Sequence, residues 1–225
     1  MSANAALAKV EDEETHVQAA SIVLKLRGMG ISDRAVLRAI ETVPRSLFVP
    51  EKCRGLAYSD HELPIECGQT ISAPSVIGVT TVSLDVSDRH SVLEIGTGSG
   101  YQSAILARLA RRVTSIDRFR TLVKAAELRW QTLGIRNISG IVGDGALGWS
   151  RQAPFDRILV SAACVTPPVK LIAQLSDQGI LIAPIGAPRG PQRLTLFQRI
   201  GKNVDTRDLG PVRFLPLISG VAQNL

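Results

Sequence analysis

Three glycines at alternate positions, Gly96, Gly98 and Gly100, interrupt the segment VLEIGTGSGYQSAILARL. Glu94 lies two residues ahead of them and Tyr101 directly behind. Val92, Leu93 and Ile95 read as a short buried strand. Ile105, Leu106 and Leu109 recur at helical spacing, so the glycines form a strand-to-helix turn. Such a turn takes positive φ angles, lets a ligand approach its backbone and aims the unpaired N–H groups of the helix at a negative group. The dinucleotide fingerprint G-x-G-x-x-G is not met, because Tyr101 stands where its last glycine belongs. Glu94 places a carboxylate beside the turn, which suits a cationic ligand group and would repel a pyrophosphate. A second strand, Val113 to Ile116, ends in Asp117, about 20 residues past the first glycine, where an acid accepts ribose hydroxyls in doubly wound nucleoside-binding folds. Without a ligand the glycines would be a tight turn and Asp117 a helix cap; taken together with Glu94 they favour an adenosine-containing ligand.

Other chemistries lack their residues. Cys53, Cys67 and Cys164 are odd in number and widely spaced, and His16, His61 and His90 are equally scattered, so neither a disulfide nor a metal site is expected. No Cys/His or paired-carboxylate constellation stands out. Asp144, between Gly143 and Gly145, follows a third strand at the end of the sheet where ligands collect, although Gly-Asp-Gly also makes an ordinary turn.

The elements that must position these residues alternate. Ala3 to Leu26 is helix-compatible, and Ser32 is placed to cap a helix over Asp33 to Val43 that Pro44 closes. Residues 44–90 carry turn formers and no strong helix, an irregular stretch of the kind that covers a ligand site. After the glycine turn come a helix over Leu122 to Leu133, strands over Ile138 to Val142 and Phe155 to Val160, and a helix over Leu171 to Leu175. The apolar run ILIAPIG and the segments Leu194 to Ile200 and Val212 to Leu217 supply the last strands. The prediction is an α/β fold with a doubly wound, mostly parallel sheet, as one domain: 1–90 an N-terminal helical and loop cover, 91–225 the cofactor-binding core.

E-x-G-x-G-x-G resembles the first motif of S-adenosylmethionine-dependent methyltransferases. VPRSLFVPE at 43–51, AYSDHELPI at 57–65, GQTISAP at 68–74, LEIGTGSGYQSAILA at 93–107, GDG at 143–145, APFDRILVSAA at 153–163 and PVRFLPL at 211–217 narrow the likeness to the protein-L-isoaspartate O-methyltransferase family. The resemblance runs from about Ala35 to Leu217 and is carried by GQTIS ahead of the glycine turn, a block that methyltransferases at large do not share. It implies a Rossmann-like methyltransferase fold and S-adenosyl-L-methionine as methyl donor. The implied cofactor contacts are Gln69, Thr70, Ile71, Glu94, Gly96, Thr97, Gly98, Gly100, Asp117, Arg118, Asp144 and Gly145. It further implies that Ser72 orients the free α-carboxylate of an isoaspartyl residue in a damaged protein or peptide, whose ester then closes to a succinimide and partly returns to aspartate. PVRFLPL is a second candidate for the peptide rim. Glu66, Ser75 and Cys164 depart from the family's pattern on the substrate side.

A carboxylate is already ionised at neutral pH, so this transfer needs no general base, in keeping with the residues present. Ser72 lacks the G-x-S-x-G elbow of a hydrolase nucleophile. The formal charge of +6 and pI of about 9.6 suit nucleic acid or an acidic substrate. Aromatic residues are scarce and Lys and Arg dispersed, however, which disfavours nucleic acid as partner. Cys164, just beyond the fourth strand, stands near the place where some RNA cytosine methyltransferases use a cysteine, but it lacks their Pro-Cys context. Pro167-Pro168 is followed by Val169 instead of the aromatic that an amino-methylating enzyme would want. The remaining rivals are a related methyltransferase with another acceptor, small molecule or nucleic acid, and a non-catalytic S-adenosylmethionine-binding sensor. Glu11 to Glu14 argue against a secretory or transit segment, and no apolar stretch is long enough to span a bilayer. A cytoplasmic monomer without membrane attachment is expected.

Overall fold

The structure is a computed structural model that describes residues 17–223. Residues 17–28 form helix α1; the part of the expected first helix that covers residues 3–16 lies outside the described residues. Helix α2, Arg34–Thr42, starts one residue later than expected. Its cap is Asp33, not Ser32, and the Asp33 carboxylate accepts the Val36 N–H at 2.9 Å. Val36, Leu37, Ala39 and Ile40 bury one face of this helix; each buried Val, Leu or Ile contributes about 1.5–3 kcal/mol.

A short antiparallel pair follows, β1 (Leu63–Pro64) with β2 (Thr70–Ile71), in the register Leu63 to Ile71. Helix α3, Pro74–Leu84, then occupies a stretch expected to be irregular. Its sequence PSVIGVTTVSL is rich in β-branched residues and apolar on several sides, so propensity and periodicity both point away from a helix. Burial decides instead: Pro74 opens the helix, Gly78 packs against the Ile31 and Leu26 side chains, and the Thr80 and Thr81 hydroxyls donate to backbone carbonyls one turn back.

The doubly wound core follows: β3 (Ser91–Ile95), α4 (Tyr101–Leu109), β4 (Arg112–Asp117), α5 (Arg120–Thr132), β5 (Ile138–Val142), β6 (Phe155–Val160) and the short helix α6 (Val169–Ile172). Leu175, expected in that last helix, begins the long strand β7 (Leu175–Gly186), which is followed by β8 (Gln192–Ile200) and β9 (Asn203–Val212). The seven-stranded sheet has the order β5-β4-β3-β6-β7-β8-β9, parallel from β5 to β7 and antiparallel across β7-β8-β9. The expected last strand over Val212 to Leu217 is not formed. β9 is the polar segment before it, and residues beyond Val212 are held by a bridge between Ala163 and Pro216 and by Gln192, which bonds the Phe214 main chain. In this order the carboxyl ends of β3, β4 and β6 lie side by side, the position at which open sheets take ligands.

Candidate active site

The turn after β3 holds Gly96, Gly98 and Gly100 at φ of 94°, 52° and 86°, values open to glycine and costly for other residues. The Gly96 N–H donates to the Ile116 carbonyl at 2.8 Å, and the Gly98 N–H donates to the Asp117 carboxylate at 2.9 Å. The other oxygen of that carboxylate accepts from Phe119 N–H at 3.0 Å. Burial pushes the Asp117 carboxyl upward, opposed by these N–H groups. Each oxygen keeps accepting capacity, and Asp117 lies on the wall of a cleft.

That cleft is lined by Gln69 to Ser72, one side of α3 (Val76, Ile77, Thr80), the glycine turn with the start of α4, Asp117 to Phe119, the end of β6 (Leu159) with Ser161 and Ala162 after it, and Arg213 to Ile218. Of the residues expected at a cofactor, Gln69, Thr70, Ile71, Gly96, Thr97, Gly98, Asp117, Arg118 and Gly145 line it, and Ser72 lines the same cleft. The Thr97 hydroxyl is engaged by Ser115 at 2.7 Å, and a Cβ at Gly145 would overlap Ile95.

Three expected contacts stand elsewhere. Glu94 is not on the cleft wall. It is fully buried, and its Oε2 accepts from the Ser103 and Ser115 hydroxyls, tying β3 to α4 and β4; Oε1 has no partner among the described residues. Burial raises its carboxyl to about 7 against the pull of the two hydroxyls. In this position Glu94 links three elements of the core through its hydroxyl partners, and the wall beside the turn is formed by its neighbour Ile95. Gly100 faces α5 instead of the cleft: a Cβ there would lie 2.7 Å from Ala126 Cβ and 2.8 Å from Trp130 Nε1, which donates to the Gly100 carbonyl at 2.9 Å. Asp144 caps the following turn by accepting from Ala146 N–H at 2.9 Å and leaves the cleft wall to Gly145.

Several lining residues escaped motif reading. Ser161 directly follows β6 and packs on Gly96, a place that the rule about carboxyl ends of strands identifies. Tyr101 and Gln102 open α4, and Glu62 precedes β1. The departures from the family's pattern lie off the wall: Glu66 pairs with Arg129 at 3.8 Å, and the Ser75 N–H donates to Asp60 at 2.8 Å. Cys164 is buried and its thiol is pushed up to about 11 by burial, which removes the thiolate that a cysteine-dependent methyltransferase requires. Among the described residues no group of His, Cys, Asp and Glu is arranged to hold a metal ion, and no helix is long and apolar enough to cross a membrane.

The glycine turn, a cleft-lining Asp117 with accepting capacity to spare and an adjoining loop serine share one cleft. Residues 17–222 match the family model for protein-L-isoaspartate(D-aspartate) O-methyltransferase. The protein-L-isoaspartate O-methyltransferase of Azorhizobium caulinodans is 50% identical over 215 residues, 96% of this chain and 99% of that protein. The enzyme of the same name from Parvibaculum lavamentivorans is 49% identical over 214 residues, 94% of this chain and 96% of that protein. Among solved structures, a protein-L-isoaspartate O-methyltransferase superposes with a TM-score of 0.80 at 26% identity, covering 88% of this chain and 65% of that one. A Plasmodium falciparum structure described as a member of the same family, in complex with S-adenosyl-L-homocysteine, gives 0.76 at 25% identity and covers 88% and 97%.

Proposed function

The chain belongs to the protein-L-isoaspartate(D-aspartate) O-methyltransferase family, and from that membership we propose that its cleft methylates the free α-carboxylate of isoaspartyl residues in damaged proteins and peptides. S-adenosyl-L-methionine supplies an electrophilic methyl group on a sulfonium. The observation that carries the reading is the meeting of Ser72 and Asp117 in one cleft, reached from two distant parts of the chain. The residues present suit this cofactor. Asp117 has accepting capacity for ribose hydroxyls, the glycine turn allows close approach, and Gly145 keeps a side chain out of the floor.

The acceptor brings its own negative charge, so no residue has to remove a proton. Opposite charges vanish as the methyl group moves, and water, which solvates the separated charges best, opposes the step. Ile71, Ile77, Ile95 and Leu159 on the wall keep water from the reacting atoms. The Ser72 hydroxyl donates to one carboxylate oxygen and leaves the other aimed along the transfer axis, while Gln69, Thr70 and Ile71 close the cofactor side. Arg213 to Leu217 form the peptide rim. The protein acts as a single domain and a cytoplasmic monomer, without nucleic acid.

The test pairs methyl-labelled S-adenosylmethionine with matched aspartyl and isoaspartyl peptides and reads base-labile methyl ester. Transfer confined to the isoaspartyl peptide is expected, with a loss of at least about tenfold in kcat for Ser72→Ala. Cofactor binding without transfer to either peptide would refute the acceptor and point to another substrate or a sensor.

A further inference from the structure

Arg45, within VPRSLFVPE, is fully buried, and among the described residues it joins no ion pair. A buried guanidinium is costly unless its donors are satisfied. Two of its three nitrogens go to main-chain carbonyls: Nε donates to Ala57 O at 2.7 Å and Nη2 donates to Ser72 O at 2.7 Å, while Nη1 has no hydrogen-bond partner among the described residues. The guanidinium carbon also lies 5.0 Å from the centre of the Tyr101 ring, whose residue lines the cleft at the start of α4. One side chain therefore touches both the wall that carries the glycine turn and the backbone of Ser72. Two further restraints flank that serine. Ile71 is paired with Leu63 across the β1-β2 register, and Ser75 N–H is held by Asp60, itself 3.2 Å from Lys25.

We propose that Arg45 is a positioning residue for methyl transfer, fixing the Ser72 main chain through its carbonyl and so the place at which the Ser72 hydroxyl meets the acceptor. The inference rests on the function proposed above. The rigid guanidinium fork reaches two carbonyls at fixed angles while stacking on a ring, a combination that a lysine ammonium does not reproduce. A misplacement of about 1 Å is enough to cost about a hundredfold in rate, whereas the cofactor contacts at Asp117 and the glycine turn do not depend on Ser72.

The experiment is a kinetic cycle of Arg45→Lys, Ser72→Ala and the double variant on an isoaspartyl peptide, with S-adenosyl-L-homocysteine affinity measured for each. Arg45→Lys is expected to lose at least about tenfold in kcat with S-adenosyl-L-homocysteine affinity falling by much less, since Gln69 to Ile71 share the loop but Asp117 and the glycine turn do not. In the Ser72→Ala background the same change should have almost no further effect, because both act through one hydroxyl. Multiplying effects, or wild-type kcat in Arg45→Lys, would overturn the proposal. So would loss of cofactor binding in both Arg45→Lys and the second variant Arg45→Gln, which would make Arg45 a support of the whole fold. A wild-type protein inactive on the peptide would refute only the acceptor. Hydrogen exchange of residues 69–75 then decides for Arg45, with selective acceleration in Arg45→Lys expected and unchanged exchange overturning it.

Discussion

Replacing Glu94 by glutamine is expected to stabilise the protein at and above neutral pH, with an advantage that shrinks through weak acid and vanishes below about pH 4.5. Glu94 is fully buried, with one oxygen accepting two serine hydroxyls and the other without a partner among the described residues. Burial lifts its carboxyl from 4.5 to about 7. At about 1.4 kcal/mol for each tenfold change in proton affinity, the folded state loses about 3 kcal/mol when this group must ionise. The sign follows from which state holds the proton. Between the two values the folded protein keeps it and the unfolded chain has released it, so the contribution is complete below about pH 4.5 and is lost as pH rises through about 7. Glutamine has nearly the same shape and stays neutral throughout, and the hydroxyls of Ser103 and Ser115 can turn to serve as acceptors for its amide.

The assay is denaturant unfolding of wild type and Glu94→Gln at pH 5, 6, 7 and 8 without cofactor. His90, whose imidazole burial lowers, and Asp60 and Asp156, held low by hydrogen bonds despite burial, titrate alike in both proteins and cancel in the difference. The variant's advantage should grow with pH to at most about 3 kcal/mol, or a rise in Tm of up to about 6–12 °C for a chain of this size. A difference that is flat from pH 5 to pH 8, or a variant less stable at pH 8, would refute a proton-holding Glu94 and return its charge to the ligand.

Two further substitutions probe the cofactor side. Asp117→Ala removes the acceptor of Gly98 and Phe119 N–H groups together with the proposed ribose contact; at about 1.5–3 kcal/mol for one hydrogen bond to a charged group, S-adenosyl-L-homocysteine affinity should fall at least about tenfold by calorimetry, and unchanged affinity would remove Asp117 from the site. Gly100→Ala places a Cβ at φ 86° and 2.7 Å from Ala126 Cβ, which costs about 1–2 kcal/mol in backbone strain and about 1–3 kcal/mol in overpacking. Denaturant unfolding should show the sum, and a loss below about 1 kcal/mol would mean that α5 moves away freely.

Where burial is continuous the sequence is easy to read, as in β3, whose five residues are all buried and which Val92, Leu93 and Ile95 mark; β5 and β6 also begin and end at the expected residues, β5 as a partly exposed edge strand. The same physics hides α3, whose burial on several sides erases the helical period, and β9, whose exposed residues give no apolar signal and whose register comes from pairing with β8. Side-chain direction is the second loss. The glycine turn and Asp117 sit where their spacing puts them, but Glu94, one residue before the lining Ile95, falls on the other side of the pleat. Gly100 likewise has a conformation that its motif predicts and a neighbour, Trp130, that only tertiary packing supplies.

The two halves of the cleft are held by different means, and this follows from the reaction. The proposed nucleoside side is built from backbone at the ends of parallel strands, where the pairing of β3 with β4 and β6 holds the chain in register. An isoaspartyl site occurs in many sequences, so its recognition has to use a loop that reads main chain and carboxylate. That loop's ladder is the two-residue β1-β2 pair, which ends at Ile71. Arg45 and Asp60 supply the missing restraints at Ser72 and Ser75 from segments that precede the cleft in the chain. The N-terminal cover thereby acts as more than a lid: it gives a short serine loop the fixed geometry that a base-free, charge-neutralising transfer depends on.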